Sequence, residues 1–485
     1  MLPRLAWRPV GVVMVAVAGL LAATVNQYGY ERDELYFRVL SSHPAWGYVD
    51  EPPLTPLLVR AGVALFGDNL WAPRVPAALC ALAVILLTVL LVRELGGTAV
   101  AQTLAAVGMS STFVLVSGHA LLTASPDLVA WLLVILFAVR ALQRAQPRWW
   151  LAAGLAVGLG LYNKQLIVLL LIGLAAGLLI AGPRRELASP WLWAGVGIAV
   201  VVGLPNLIFQ IAHHWPEQTM ARAIARDKGS DDRTFLLPFQ FVLIGVTVAP
   251  IWIAGLIRLL RDPRWRAIRA VTWAYPVVFV LVLITGGQGY YTFGLLAYLF
   301  AAGCVVTVGW ATGHRGRWAW TWAAAAVSVL TGVVIALPLI PARSLPDVIG
   351  QINQADRDSV GWPEYVRQVA AVYGSLPAAD RGRTTLVAGN YGEQGALDRY
   401  GPRYGLPTAY GGLNELYRLG PPPASATVAV TVGEDLSRWF DDCAQATTLD
   451  SGLPVSNEEQ GVPVTVCHGR REPWNTIWPA LRHYG

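Results

Sequence analysis

Carboxylates are concentrated among aromatic rings directly after the first apolar run of the chain. The segment reads GYERDELYF over residues 29–37 and VDEPPL over 49–54. A carboxylate among rings at a membrane surface can take a proton from a hydroxyl nucleophile, since apolar surroundings raise the pKa of a carboxyl group. Asp33 and Glu34 are therefore candidate catalytic residues. A solvated helix cap is the alternative for one such acid, but the second pair, Asp50-Glu51, and the length of the loop favour chemistry.

Two further ionisable side chains stand in apolar surroundings, where charge is costly and usually functional. Asp127 opens the run in LLTASPDLVAWLL, and helix capping together with Ser125 is the alternative explanation. Lys164 in LGLYNKQLIV is one of only two lysines in the chain. Snorkelling explains a lysine at the end of a span, and contact with a phosphate group explains it equally well. Both residues are candidates for substrate binding.

Three more candidates for substrate binding are aromatic or imidazole side chains: His213 in NLIFQIAHHWPEQ, and Tyr290 and Tyr291 in GGQGYYTFG. The tyrosines are most simply interfacial aromatics. Adjacent histidines do not share a helical face, so a metal site built from His213 and His214 is not expected. The sequence predicts no metal and no other cofactor, although the acids of the first loop could hold a divalent ion.

These residue types suit transfer of a sugar from a polyprenyl phosphate. The leaving group is a phosphate, and an Arg or Lys must stabilise its developing charge. A carboxylate must deprotonate the acceptor hydroxyl, and direct attack inverts the anomeric carbon. The sequence has no P-loop and no GxGxxG in a βαβ setting, which disfavours ATP-driven transport.

Membrane-spanning helices are the elements that would carry these residues. Of the 485 residues, 55% are hydrophobic and only 14% are charged, whereas soluble domains carry about 25% charged residues. A span needs about 20 predominantly apolar residues, and about eleven candidate runs occur. They lie near 7–25, 75–92, 99–118, 120–139, 149–162, 165–182, 191–212, 236–260, 269–286, 289–310 and 317–340.

The loops between these runs alternate between Arg-rich segments and longer, mixed or acidic ones at 26–74 and 213–235. The positive-inside rule places the Arg-rich loops and the N-terminus in the cytoplasm, so the long loops and the tail lie outside. Residues 1–342 hold 24 bases and 14 acids, a net charge of +10, and residues 343–485 hold 12 bases and 16 acids, a net of −4. Basic charge in loops signals topology and rules out nucleic-acid binding as the main function.

The tail changes character sharply. Short apolar alternations such as TTLVAGNYG and ATVAVTVG, with a helical pattern at WPEYVRQVAAVYG, predict a small α/β domain. The chain thus divides into a transmembrane domain, 1–340, and an extracytoplasmic domain, 341–485. A disulfide between Cys443 and Cys467 is possible in an oxidising compartment, and the sequence leaves it open. The tail domain either binds the acceptor or caps the outer cavity.

Several of these motifs together resemble a known family. GYERDELYF, the EPPL box, APRVPAAL, the Asp127 position, LGLYNKQ and the tail string AGNYGEQGALDRYGPRYGLPTAYGG resemble the dolichyl-phosphate-mannose–protein mannosyltransferase-like glycosyltransferases. This is glycosyltransferase family 39 in the broad sense, which includes the bacterial aminoarabinose transferases. The resemblance covers nearly the whole chain and implies the GT-C membrane fold.

The resemblance also implies roles for single residues. The catalytic base of the family corresponds to Asp33, with Glu34 beside it, and the acid of the EPPL box corresponds to Glu51. Asp127 and Lys164 match family positions directly.

Two lysines of the family are replaced in this chain. One corresponds to Pro52, and the other, before the paired tyrosines, to Gln288-Gly289. Both replacements remove a cationic partner for the donor phosphate, which makes Lys164, Arg74 and Arg60 the expected substitutes.

The sequence as a whole predicts an inverting glycosyltransferase of the GT-C type, a multi-pass protein acting on the outer face of the cytoplasmic membrane. Its expected partners are a polyprenyl-phosphate sugar, membrane lipid and an acceptor that is a protein, a lipid or a polysaccharide. One alternative is a lipid-linked sugar transporter or flippase, which would show matched half-repeats and midplane charges. The other is a catalytically inactive envelope scaffold, which the missing lysines would fit.

Overall fold

Helices dominate the first 340 residues of the computed structural model, which describes residues 2–485. We number the helices in chain order. Those before the tail are α1 (Trp7–Thr24), α2 (Arg32–Ser42), α3 (Leu54–Phe66), α4 (Arg74–Glu94), α5 (Ala99–Met109), α6 (Thr112–His119), α7 (Ala124–Gln143), α8 (Trp149–Gly160), α9 (Ile167–Ala181), α10 (Pro190–Ala212), α11 (Pro216–Asp227), α12 (Gly229–Ile244), α13 (Ala249–Arg261), α14 (Arg269–Thr285), α15 (Phe293–Ala311) and α16 (Arg315–Ala336).

Seven helices of the described chain are long and apolar enough to cross a membrane, or up to nine if each of two bent pairs is one span. The chain is therefore a multi-pass membrane protein, as predicted. Helices occupy all eleven predicted runs, but the predicted count of spans is not confirmed. The helices α8 and α9 have only 12 and 15 residues, which is shorter than a spanning helix needs.

Two of the predicted runs are bent. The helices α5 and α6 meet at 60°, and α12 meets the helical stretch Val246–Arg261 at 85°. The second bend lies at Gly245, whose φ of 121° is a conformation that favours glycine. A Cβ atom at Gly245 would lie 1.9 Å from Oγ of Ser328. The run 236–260 therefore forms two helices, because Gly245 turns the chain. The apolar composition of the run does not reveal this turn.

The tail forms the predicted small α/β structure. Its five strands are β1 (Thr384–Ala388), β2 (Ala409–Gly411), β3 (Val428–Val432), β4 (Phe440–Thr448) and β5 (Pro463–Arg470), and its helices are α17 (Asp347–Ile352), α18 (Gln354–Arg357), α19 (Trp362–Ser375), α20 (Ala378–Arg381), α21 (Tyr391–Tyr400) and α22 (Trp474–Ile477).

The strand order in the sheet is β2-β1-β3-β5-β4. Strand β1 pairs in parallel with β2 and β3, and β5 pairs antiparallel with β3 and β4. Every residue of β1 and β3 is buried, as expected for parallel strands covered on both faces. Cys443 and Cys467 lie opposite each other on β4 and β5 and form a disulfide.

The chain folds as two compact units. The membrane unit comprises the residues up to Val25, Glu51–Thr55 and Arg74–Leu337, and the loop–tail unit comprises Asn26–Asp50, Pro56–Pro73 and Pro338–Gly485. Most of the first loop, which we assigned to the transmembrane domain, thus packs with the tail.

Candidate functional site

Lys164 lies in the membrane unit, in the turn between α8 and α9. Its Nζ donates to the hydroxyl of Tyr290 at 3.2 Å and to Oγ1 of Thr123 at 3.4 Å. The same ammonium group lies 5.4 Å from the ring centre of Tyr290 and 5.1 Å from that of Tyr291. These distances are in the range of cation–π attraction. We call Lys164, Thr123, Asp127, Tyr290 and Tyr291 the Lys164 site.

The two tyrosines are held by a short 3-10 turn, Gly289–Thr292, between α14 and α15. Gln240 of α12 fixes this turn, because its amide donates to the carbonyl of Gly289 at 3.0 Å and its oxygen accepts from Thr292 at 2.5 Å. The ring of Phe113 stacks on Tyr290 at 5.0 Å. The two tyrosine side chains are therefore held against the ammonium group of Lys164. Their simplest interpretation from the sequence, as interfacial aromatics, did not predict this contact.

The segment that carries Glu51 is attached to the turn that carries Lys164. The amide of Leu54 donates to the carbonyl of Tyr162 at 2.8 Å. Thr55 donates to Oδ1 of Asn163 at 2.8 Å, and Nδ2 of Asn163 donates to the carbonyl of Thr123 at 2.8 Å. The segment EPPLT and the LGLYNKQ motif, far apart in sequence, thus meet through two hydrogen bonds, and the third joins the motif to Thr123.

Among the predicted site residues, two carboxylates of the membrane unit are buried. Asp127, in the first turn of α7, is only 4% exposed, and its charge interacts with that of Lys164. Its Oδ1 has no hydrogen-bond partner among residues 2–485. Glu51 is 5% exposed. The structure thus places the carboxylate of Asp127 within electrostatic range of Lys164.

The structure gives Arg74 and His213 different surroundings. Arg74 is buried at the start of α4, where it donates to the carbonyl of Val25 at 2.7 Å and lies 3.4 Å from Nε2 of His119. His213 is exposed at the end of α10, with its ring stacked on Phe209 at 4.1 Å. Their predicted roles in substrate binding stay predictions.

Asp33 lies in the loop–tail unit, in the first turn of α2. Its amide donates to Oε2 of Glu31 at 2.6 Å, and its Oδ1 accepts a hydrogen bond of 3.0 Å from the hydroxyl of Tyr391. Oε2 of Glu34 accepts from the amide of Glu31 at 3.0 Å. Glu31 and Glu34 thus form a capping box, so Glu34 has a structural function beside the catalytic one that we predicted.

Asp50 belongs to the same cluster of polar side chains. Its Oδ1 accepts from the hydroxyl of Tyr36 at 2.8 Å, and its Oδ2 from Nδ2 of Asn414 at 3.3 Å. The rings of Tyr36 and Tyr391 lie 4.8 Å apart. Burial raises the pKa of Asp50 to about 7. We call Asp33, Tyr36, Asp50 and Tyr391 the Asp33 cluster.

Sequence reasoning did not assign a function to Tyr391, Tyr36 or Asn414. Tyr391 does lie in the tail string AGNYGEQG, which the resemblance singled out, and that string was the one available signal. In the described part of the chain, no group of three or more His, Cys, Asp or Glu side chains is arranged to hold a metal ion.

Comparison with known proteins shows what the chain resembles. Residues 50–209 match the family model described as dolichyl-phosphate-mannose-protein mannosyltransferase. The chain is 28% identical over 249 residues to undecaprenyl phosphate-alpha-4-amino-4-deoxy-L-arabinose arabinosyl transferase 1 of Pseudomonas fluorescens. That alignment covers 48% of this chain and 43% of the relative, so the chain spans less than half of this curated relative's length.

The fold extends the similarity over nearly the whole chain. This chain aligns with the crystal structure of ArnT from Cupriavidus metallidurans in the apo state at a TM-score of 0.59 and 16% identity. The alignment covers 94% of this chain and 97% of the ArnT chain. The structure of the same protein bound to undecaprenyl phosphate gives a TM-score of 0.58 with the same identity and coverage. The chain therefore has the GT-C fold of this protein.

Four predicted site residues lie inside the segment that matches the family model: Glu51, Arg74, Asp127 and Lys164. The segment therefore supports the resemblance that we based on the EPPL box and LGLYNKQ. Asp33 precedes it, and the two tyrosines follow it.

Proposed function

We propose that this chain is an inverting glycosyltransferase, which moves a sugar from a polyprenyl phosphate to an acceptor hydroxyl on the outer face of the cytoplasmic membrane. The observation that carries the proposal is the Lys164 site. A lysine that contacts two tyrosine rings and interacts with a buried carboxylate is costly within an apolar bundle, and a phosphate group is the ligand that it suits.

Lys164 would stabilise the phosphate as it leaves. The charge on that phosphate grows while the bond to the sugar breaks, so a fixed cation stabilises the transition state more than the bound donor. The hydroxyl of Tyr290 and the guanidinium of Arg74 would supply further donors. Because Pro52 and Gln288 replace lysines of the family, we assign more of this stabilisation to Lys164. No metal ion is required by this scheme.

Asp33 would act as the base. It takes the proton of the acceptor hydroxyl while the oxygen of that hydroxyl bonds to the anomeric carbon, and the sugar–phosphate bond breaks with its electron pair going to the polyprenyl phosphate. Glu34 and Glu51 would position the sugar or the acceptor, and His213 would hydrogen-bond the substrate.

The relatives support the donor class, and the disulfide of the tail supports the side of the membrane. The named relative in Pseudomonas fluorescens acts on an undecaprenyl-phosphate sugar, and the Cupriavidus protein binds undecaprenyl phosphate. The disulfide Cys443–Cys467 supports an extracytoplasmic tail, because disulfides persist in oxidising compartments.

The experiment compares Lys164→Met with Lys228→Met, since these are the two lysines of the chain. Purified protein in detergent is given a panel of polyprenyl-phosphate sugars, and release of polyprenyl phosphate is measured with and without added membrane acceptors. We expect release by the wild type and by Lys228→Met, and a fall of about 10²–10³-fold in Lys164→Met, as for loss of one transition-state contact.

Reductive methylation of lysines in the same samples reports binding separately. Undecaprenyl phosphate should protect Lys164 and leave Lys228, which is exposed, reactive. Absence of release from every donor by the wild type would refute the glycosyltransferase and make a flipping assay the next step. Equal release by the two variants would remove Lys164 from its role.

A further inference from the structure

The hydrogen bond between Tyr391 and Asp33 joins two residues 358 positions apart in sequence, at a length of 3.0 Å. The phenol donates and the carboxylate accepts, which makes this a charge-assisted bond of the stronger kind. Burial raises the pKa of Tyr391 well above its ordinary value, and the charge of Asp33 is the second cause of this rise. The phenol therefore keeps its proton and remains a donor throughout the working pH range.

The side chain of Tyr391 is fixed from three directions. Its ring packs against the ring of Tyr36 at 4.8 Å, and the guanidinium of Arg32 lies 5.0 Å from its centre. Its backbone begins α21, where Asn390 and Glu393 form a capping box. In that box the amide of Glu393 donates to Oδ1 of Asn390 at 2.8 Å. The hydroxyl consequently has little freedom to leave Asp33.

Close packing of α21 on α2 brings the two residues together. A Cβ atom on Gly395 would lie 2.7 Å from Cβ of Leu35 and 2.8 Å from its carbonyl oxygen. One on Gly392 would lie 2.6 Å from Cγ of Arg32. Only glycine allows this approach, so the YGEQG sequence sets the distance between Tyr391 and the first turn of α2.

We propose that Tyr391 is a positioning residue for Asp33, a role that rests on the proposed glycosyltransferase function. The phenol holds Oδ1 of Asp33 in one orientation. Oδ2 is then the oxygen that receives the proton of the acceptor hydroxyl. The tail thus contributes to catalysis through Asp33, in addition to any contact that it makes with the acceptor.

Tyr391→Phe tests this role, because it removes the hydroxyl and keeps the ring that packs against Tyr36. The matched control is Tyr373→Phe, since the hydroxyl of Tyr373 donates to the backbone carbonyl of Arg381 at 3.1 Å. Release of polyprenyl phosphate is measured in both, in Asp33→Asn and in the double variant. Misplacing a reacting group costs up to about 10²-fold, so we expect kcat to fall about 10–10²-fold in Tyr391→Phe, with KM for the donor unchanged.

The double variant distinguishes a positioning role of Tyr391 from a purely structural one. A residue that acts through Asp33 adds nothing once the carboxylate is gone, so the double variant should equal Asp33→Asn within about 2-fold. A purely structural residue would multiply the two losses and lower the unfolding temperature, and that result would overturn the inference. Normal turnover in Tyr391→Phe would also overturn it while leaving the proposed function intact. No release by the wild type would remove both.

Discussion

Lys164 gives the membrane unit a cation at a place where charge is expensive. Its two tyrosine rings, its hydrogen bond to Tyr290 and the nearby Asp127 all stabilise the ammonium form before any substrate arrives. A cation that is already in place costs no reorganisation when the phosphate charge develops. Lysine and arginine are not equivalent in such a site, because the ammonium group is a compact point charge and the guanidinium is a larger, planar group.

Asp50 makes the stability of the loop–tail unit depend on pH. Burial raises its pKa from 3.8 in the unfolded chain to about 7, with Glu415 and Asp33 adding to the rise and Tyr36 opposing it. The folded state therefore favours the protonated acid, so the stabilisation is complete below pH 4 and is lost as the pH rises through 7.

Asp50→Asn should consequently reduce this pH dependence. Thermal unfolding of the purified protein between pH 5 and pH 8 is the measurement, and the drop in unfolding temperature should shrink by at least about 2 °C. Asp441→Asn, at an exposed position, serves as the control and should leave the drop unchanged. An unaltered drop in Asp50→Asn would show that its acid is ionised in the folded protein throughout this range.

At the scale of elements, α2 and α21 form the contact on which the Asp33 cluster depends. Gly395→Ala would place a methyl group 2.7–2.8 Å from atoms of Leu35, and such overpacking costs about 1–3 kcal/mol. Gly374→Ala is the matched control, because a Cβ atom there meets nothing within 4 Å and alanine favours a helix by up to about 1 kcal/mol.

We expect Gly395→Ala to lower the unfolding temperature and polyprenyl-phosphate release together, and Gly374→Ala to lower neither. Differential scanning fluorimetry and the release assay give both readings on the same samples. If Gly395→Ala unfolds at the wild-type temperature, α2 and α21 do not pack as closely as described.

The elements show what the sequence could and could not predict. Charge in apolar surroundings identified Lys164 and Asp127, because such residues stand out without any knowledge of the fold. The capping box of Glu31 and Glu34 is a local pattern that competes with a catalytic reading of the same acids. Tyr391 could not be paired with Asp33, since nothing local relates residues so far apart. Hydropathy likewise located the apolar runs but not the turn at Gly245.

Segments of the two units alternate along the chain. The first loop leaves the membrane unit at Asn26, returns for Glu51–Thr55 and leaves again until Arg74. Acids that the sequence presents as neighbours, Asp50 and Glu51, therefore belong to different units. The predicted division at residue 340 follows hydropathy, whereas the compact units follow packing.

Topology is testable at this scale. Alkaline phosphatase is active only where disulfides form, so a fusion after Arg343 should be active and one after Arg185 inactive. This outcome follows from the positive-inside rule, which places the Arg184-Arg185 loop in the cytoplasm. The reverse pattern would put the tail, with its Cys443–Cys467 disulfide, on the wrong side for the proposed reaction.

The most direct test of the central claim is the rate at which purified protein releases polyprenyl phosphate from the donor panel, measured for the wild type and for Asp33→Asn. Asp441→Asn, whose carboxylate is exposed in the tail and pairs with Arg471, is the control. We predict release by the wild type and the control, and a loss of about 10²–10⁴-fold in Asp33→Asn with unchanged folding, as for removal of a general base. Near-normal release by Asp33→Asn would contradict the account.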